Sequence, residues 1–173
     1  MAQLVKPSVA YQASFIEAVR EFQAESRQVY MHLDLNELEK DFEAYCAGLR
    51  KRATTPPRPE WSADTILWLV EGDLFIGRIS LRHKLVGSLD RYGGHIGYEI
   101  RPSQRRKGYG TEMLRLALPI SRDLGIAKAL VTCDTTNTAS RKIIEANGGV
   151  LQDIIQTEFS DVPTMRWWID LSE

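Results

Sequence analysis

Residues 96–118 read IGYEIRPSQRRKGYGTEMLRLAL and change character twice within one short segment. Residues 95–101 form a strand candidate, and Pro102 ends it, because proline cannot extend a ladder and pushes the residue before it toward extended backbone. Residues 110–124 then place Met113, Leu114, Leu116, Ala117 and Leu118 at helical spacing, with Pro119 expected to kink the helix and Gly125 to stop it. Between strand and helix, Arg105, Arg106 and Lys107 precede Gly108 and Gly110. A strand that enters a helix through such a turn points the first, unpaired N–H groups of the helix at whatever fills the turn. Glycine lets the backbone approach a ligand closely, the helix dipole favours an anion, and the adjacent cations add formal charge. The segment is built to hold a phosphate.

The kind of phosphate follows partly by exclusion. A triphosphate-binding P-loop needs GxxxxGK followed by Ser or Thr, and no Lys-Ser or Lys-Thr follows the glycine here. A dinucleotide site calls for GxGxxG after the first strand and an acidic residue about 20 positions on. Neither is present in that form.

The rest of the chain supplies a frame for this turn. Residues 8–25 carry Val9, Phe15, Ile16, Val19 and Phe22 at three- and four-residue steps, which predicts an amphipathic helix. A second helix is predicted from Asn36 as N-cap to Lys51, with Leu38, Phe42, Tyr45, Cys46 and Leu49 on one face. Pro56, Pro57 and Pro59 make residues 53–60 a surface loop. Residues 64–85 read as two strands around the turn Glu71-Gly72-Asp73, that is, a hairpin. After the turn and helix come a strand at 129–133, a helix at 137–146 closed by Asn147-Gly148-Gly149, and strands at 150–157 and 164–171. This order predicts an α+β fold, a mixed sheet covered by helices in one domain spanning residues 1–173.

Composition narrows the partners. With 22 Lys plus Arg against 23 Asp plus Glu, the formal charge of -1 exerts no global pull on nucleic acid or anionic membrane, so any anion site is local. No stretch approaches the ~20 apolar residues of a membrane helix, and the first ten residues have no secretory pattern, which reads as a cytoplasmic protein. Cys46 and Cys133 lie far apart and read as buried thiols, and His32, His83 and His95 have no ligand spacing, so no metal is expected.

The pattern Gln/Arg-x-x-Gly-x-Gly/Ala, here Arg105-Arg106-Lys107-Gly108-Tyr109-Gly110, resembles the acetyl-coenzyme A signature of the GNAT superfamily of N-acetyltransferases. The surrounding strand, turn and helix are similar as well, and Asn137-Thr138-Ala139-Ser140 with Asn147-Gly148-Gly149 resembles the second conserved stretch of that superfamily. The resemblance runs from about residue 95 to about residue 150. It implies a mostly antiparallel central sheet flanked by helices, acetyl-CoA as cosubstrate and a primary amine of a small molecule or peptide as acceptor. It also allows a homodimer.

Roles carry over residue by residue. The resemblance implies that main-chain groups of Arg105, Arg106, Lys107, Gly108, Tyr109, Gly110 and Thr111 hold the pyrophosphate. It further implies that the strand at Tyr98, Ile100 and Arg101 pairs with the pantetheine arm. Tyr98 and Ile100 can be sheet core at the same time, since the ligand uses their main chain. Asn137 resembles the asparagine that binds the pantetheine, and reads equally as an ordinary N-cap. Glu99 is the candidate catalytic base, expected to gain basicity from burial, or else a strand-edge carboxylate; an amide of Glu99 or Ile100 is the oxyanion donor by resemblance. Many relatives carry a proton-donating tyrosine seven residues after the asparagine, where this chain has Ile144. Ser140, Tyr109 or solvent is left to serve the leaving thiolate.

The resemblance implies that the acceptor is chosen by residues 30–35, 61–64 and 84–94, and Trp167 and Trp168 are further lining candidates or else core. Asp34, Glu37 and Glu39 could attract a polyamine, an aminoglycoside or a lysine side chain, or be a solvated helix face; ribosomal protein N-termini and amino acids remain open. Ile144 keeps a non-catalytic CoA sensor in view, and the basic run at 101–107 a weaker nucleic-acid reading that the balanced charge opposes.

Overall fold

The computed structural model describes residues 1–26 and 28–172. Seven strands form one sheet in the order β1-β2-β3-β4-β5-β7-β6. They are β1 (Gln3–Val5), β2 (Asp64–Glu71), β3 (Leu74–Arg82), β4 (Ile96–Ile100), β5 (Lys128–Asp134), β6 (Val150–Thr157) and β7 (Ser160–Asp170). All neighbours are antiparallel except β4 and β5. The helices are α1 (Gln12–Ala24), α2 (Gln28–Met31), α3 (Leu35–Lys40), α4 (Phe42–Lys51), α5 (Tyr109–Asp123) and α6 (Thr138–Ala146). The expected mixed, mostly antiparallel sheet between helices is the fold observed.

Each face of the sheet has its own core. On one, α5 buries Met113, Leu114 and Ala117 against Leu67, Leu69, Ile79 and Val131. On the other, α1 and α4 bury Phe15, Phe22, Phe42 and Cys46 against Ile66, Trp68 and Phe75, with the Phe15 ring stacked on Trp68 at 4.6 Å. The two faces follow from alternation along β2, where Ile66, Trp68 and Val70 face one way and Leu67 and Leu69 the other.

Three local readings are corrected. The helix expected over residues 36–51 is two helices, broken at Asp41 (φ -142°, ψ 66°), whose carboxylate accepts from the Ala44 amide and caps α4. The cap of the first of them is Asp34 rather than Asn36: Asp34 Oδ1 accepts from the amides of Asn36 and Glu37. Strand β1 and the short α2 were not anticipated, because three and four residues are too few to show a period. Pro119 sits on the exposed side of α5, which continues through it to Asp123.

The junction of β4 and β5 positions the site. Among the described residues their ladder holds a single register pair, Ile96 with Val131. The fork is pinned from both sides: the His95 amide donates to the Leu130 carbonyl (2.7 Å), and the Leu130 amide donates to His95 Nδ1 (2.9 Å). That bond requires an unprotonated Nδ1, and burial followed by the charge of Arg82 lowers the His95 pKa, keeping the ring neutral. Gly94 (φ +61°) passes so close that a Cβ would lie 2.4 Å from the Leu130 carbonyl oxygen.

Candidate active site

On its other edge β4 is fully paired with β3, from Gly77 opposite Ile100 to Leu81 opposite Ile96. The Arg101 amide donates to the Ile76 carbonyl and the Arg82 amide to the His95 carbonyl, so the odd-numbered residues of β4 spend their main-chain groups on β3. The even ones, Tyr98 and Ile100, turn theirs toward β5, which has diverged. An extended ligand could therefore add there as a strand. Of the two amides considered for an oxyanion, the Ile100 amide faces the fork and the Glu99 amide faces β3.

Below β4 the chain makes a short 3-10 turn (Pro102–Gln104) and reaches α5 through Arg106 (φ +62°) and Gly108 (φ +85°). Both are left-handed positions; glycine takes them without strain and arginine does not. Gly108 is the N-cap of α5, so the first-turn amides of Tyr109, Gly110 and Thr111 open into the turn. Gly110 is buried, and a Cβ there would press on Ile143 Cδ1 at 2.4 Å, so glycine lets α5 and α6 pack closely.

Helix α1 and its C-cap residue Glu25 grip this turn with three carboxylates spaced four apart. Glu17 and Glu21 pair with Arg101 (3.3 and 2.7 Å), and Glu25 pairs with Arg105 (2.9 Å). Glu21 also accepts from the Ser103 amide and hydroxyl (2.9 and 3.0 Å). Burial raises the Glu21 pKa, but these bonds and the Arg101 charge outweigh it and hold it below the ordinary 4.5. Arg101, 6 % exposed, is thus committed to α1 rather than turned toward the turn's ligand side. Lys107 donates to Gln104 Oε1 at 3.0 Å.

A cavity of about 1070 Å³ runs from the turn along the fork. It gathers Tyr98, Glu99, Ile100, Arg105, Arg106, Gly108, Tyr109, Gly110, Thr111, Asn137 and Ser140, but neither Arg101 nor Lys107. Phe22, Ser26, His32, Tyr92, Gln104, Lys142 and Ile143 also line it, brought together from distant parts of the chain by folding. No motif marked them, though Tyr92 and His32 fall in the stretches expected to select the acceptor. Trp167 is buried in the core and Trp168 faces His95 at 6.4 Å; neither lines the cavity. Asp34 is a helix cap, and Glu37 and Glu39 pair with Lys40 and Arg20.

Glu99 and Tyr98 project to opposite faces of the sheet. Glu99 lies opposite Arg78 in the β3–β4 register, 3.6 Å from its guanidinium, and is about a third exposed (32 %). The apolar burial expected for Glu99 is replaced by a cation, which the sequence could not flag because Arg78 reads as an ordinary strand residue. Burial works to lower the Arg78 pKa, but Tyr30 and Glu99 outweigh it and raise it, so this guanidinium stays charged.

On the other face, Tyr98 and Ser140 share a hydrogen bond of 2.8 Å between their hydroxyls. Burial pushes the Tyr98 phenol up to about 12. Asn137 Oδ1 accepts from the Ser140 amide at 3.0 Å, so its N-cap role is real. Ile144 is fully buried on the inner face of α6 and does not line the cavity. Tyr109 donates to Glu71 at 2.9 Å, a bond that raises its pKa and directs its hydroxyl toward the end of β2, away from Ser140. Cys46 and Cys133 are buried thiols, as expected. Among the described residues no three His, Cys, Asp or Glu side chains group as a metal site, and no helix is long and apolar enough to cross a membrane.

This fold and site define an acyl-transfer enzyme of one class. The acetyltransferase (GNAT) domain model matches residues 12–150, and the chain belongs to that family. No curated protein matches it in sequence. Among solved structures it is similar to RimL, a ribosomal L7/L12 α-N-protein acetyltransferase in complex with coenzyme A (13% identity, 99% of this chain and 94% of that one, TM-score 0.71). It is also similar to the microcin C7 self-immunity acetyltransferase MccE in complex with acetyl-CoA and AMP (13%, 98% and 92%, TM-score 0.69). A third is Mycobacterium smegmatis RimJ in complex with CoA-disulfide (17%, 98% and 81%, TM-score 0.68).

Proposed function

We propose that this acetyltransferase moves the acetyl group of acetyl-CoA onto a primary amine of a peptide N-terminus or a small molecule. The observation that carries the reading is the fork itself: the main chain of Tyr98 and Ile100 faces a gap that leads straight to the α5 turn. The cosubstrate's diphosphate would lie on the amides of Tyr109, Gly110 and Thr111 beside Arg105 and Arg106, and its arm along Ile100 and Tyr98. Asn137 would meet the arm from the α6 side.

The chemistry divides between the faces. A protonated amine cannot attack a thioester, so the proton must leave first. Glu99, held by Arg78, is the group placed to take it, directly or through water. The amine adds at the carbonyl, the C–N bond forms and the oxyanion is met by a fork-facing amide, with Ile100 the better candidate. The C–S bond then breaks with its electron pair left on sulfur.

Structures of ribosomal-protein acetyltransferases among the similar folds favour testing a peptide α-amine first. Thermal unfolding with acetyl-CoA, CoA, ATP and NAD is the primary experiment: a ligand at 100 times its Kd stabilises by about 2.7 kcal/mol, or roughly 5–10 °C in Tm for a chain of this size. A rise with the CoA species alone supports the site; none with either overturns it. Thiol release is then followed with an N-terminal serine peptide, a polyamine, an aminoglycoside and free amino acids. A second reading, a CoA sensor without turnover, rests on the buried Ile144, and release of thiol by any of these amines removes it. A single domain, a cytoplasmic location and a homodimer complete the proposal, the last checked by sedimentation.

A further inference from the structure

Tyr98 and Ser140 come from β4 and from the first turn of α6, and their hydroxyls meet at 2.8 Å beside the cavity. Neither is needed there as a cap: the Ser140 amide is already satisfied by Asn137. Ser140 itself is only partly buried, so its hydroxyl has a route to a ligand in the fork. With a diphosphate at the α5 turn and the arm following Ile100 to Tyr98, the thioester end arrives beside this pair. Glu99 stands on the opposite face. Proton removal and leaving-group departure are thereby separated by the sheet.

Resting on the acetyl-CoA reading above, we propose that Tyr98 is a positioning residue that acts through Ser140 to stabilise the departing thiolate. The Ser140 hydroxyl donates to sulfur, and the Tyr98 hydroxyl donates to Ser140 Oγ. Each bond polarises the next, so the chain is a stronger donor than a lone serine. The phenol, pushed up to about 12 by burial, keeps its proton throughout the working range and serves only as a donor. The thiolate leaves as an anion and collects its proton from water, balancing the one lost by the amine. This accounts for how the site works with Ile144 in place of an acidic side chain.

The test reads the sulfur itself. CoA is bound at saturation to the wild-type protein, and its thiol is titrated through the ultraviolet absorbance of the thiolate. The bound thiol is expected to titrate below free CoA. In Tyr98→Phe the value should rise toward that of free CoA by on the order of half to one unit, the scale of one lost hydrogen bond. In Ser140→Ala it should rise at least as far, and adding Tyr98→Phe to that variant should change nothing more. Ser140→Thr, which keeps the hydroxyl, should restore the lowered value. A Tyr98→Phe protein that titrates as wild type overturns the role of Tyr98, as does an additive double variant. Failure of wild-type protein to bind CoA in calorimetry overturns the acetyl-CoA reading instead, so the two failures are distinguishable.

Discussion

Single side chains in this protein carry requirements that their sequence neighbours do not reveal. Glu99 is one of a run of strand residues, yet its register opposite Arg78 gives it a fixed cationic partner at 3.6 Å. With Glu99 as the proposed base, Glu99→Gln keeps the shape and removes the proton acceptor, so kcat for thiol release should fall by about 10²-fold or more, read at saturating acetyl-CoA. Gly108 is constrained by its backbone rather than by crowding: no atom stands within 4 Å of a Cβ there, but φ is +85°. Gly108→Ala should therefore cost roughly 1–2 kcal/mol in urea unfolding and weaken CoA binding, as the α5 amides shift.

At the scale of elements, the site depends on two joints. The first is the fork, where Gly94→Ala must both strain a left-handed residue and push on the Leu130 carbonyl 2.4 Å away. Its expected effect is a loss of about 1–3 kcal/mol in stability, with CoA affinity falling in step, measured by calorimetry. The second is the grip of α1 on the turn. Because the Glu21 pKa is held below 4.5 in the folded protein, its contribution is present above about pH 4.5 and is lost as pH falls through the lower folded value. Acid should loosen the turn before it unfolds the sheet: CoA affinity is expected to decline below about pH 4.5, and Glu21→Gln to remove part of that decline. Calorimetric titrations across pH in both proteins check it.

Across the whole molecule, the sheet is shared by both cores, so damage to either should be felt by both. Phe15 is fully buried and stacks on Trp68, and Phe15→Ala should cost about 3–5 kcal/mol by denaturant unfolding. The transition should stay single when followed by tryptophan fluorescence and by far-ultraviolet dichroism, because β2 contributes Trp68 to one core and Leu67 and Leu69 to the other. Sequence alone determined the strand, the glycine-bearing turn and helix α5, and with them the family, because each depends on local chemistry: a proline stop, left-handed glycine, and helical spacing of apolar groups. It also carried the two-faced pattern of the hairpin. It could not show that Asp41 interrupts a helix, since the apolar period runs on through it, or that β1 exists. Above all, only the tertiary structure decided the company of Glu99 and Tyr98. Those neighbours are adjacent in sequence, but the pleat sends one to Arg78 and the other to Ser140, and contacts between residues 21 and 42 positions apart follow from strand register and helix placement rather than from any local rule.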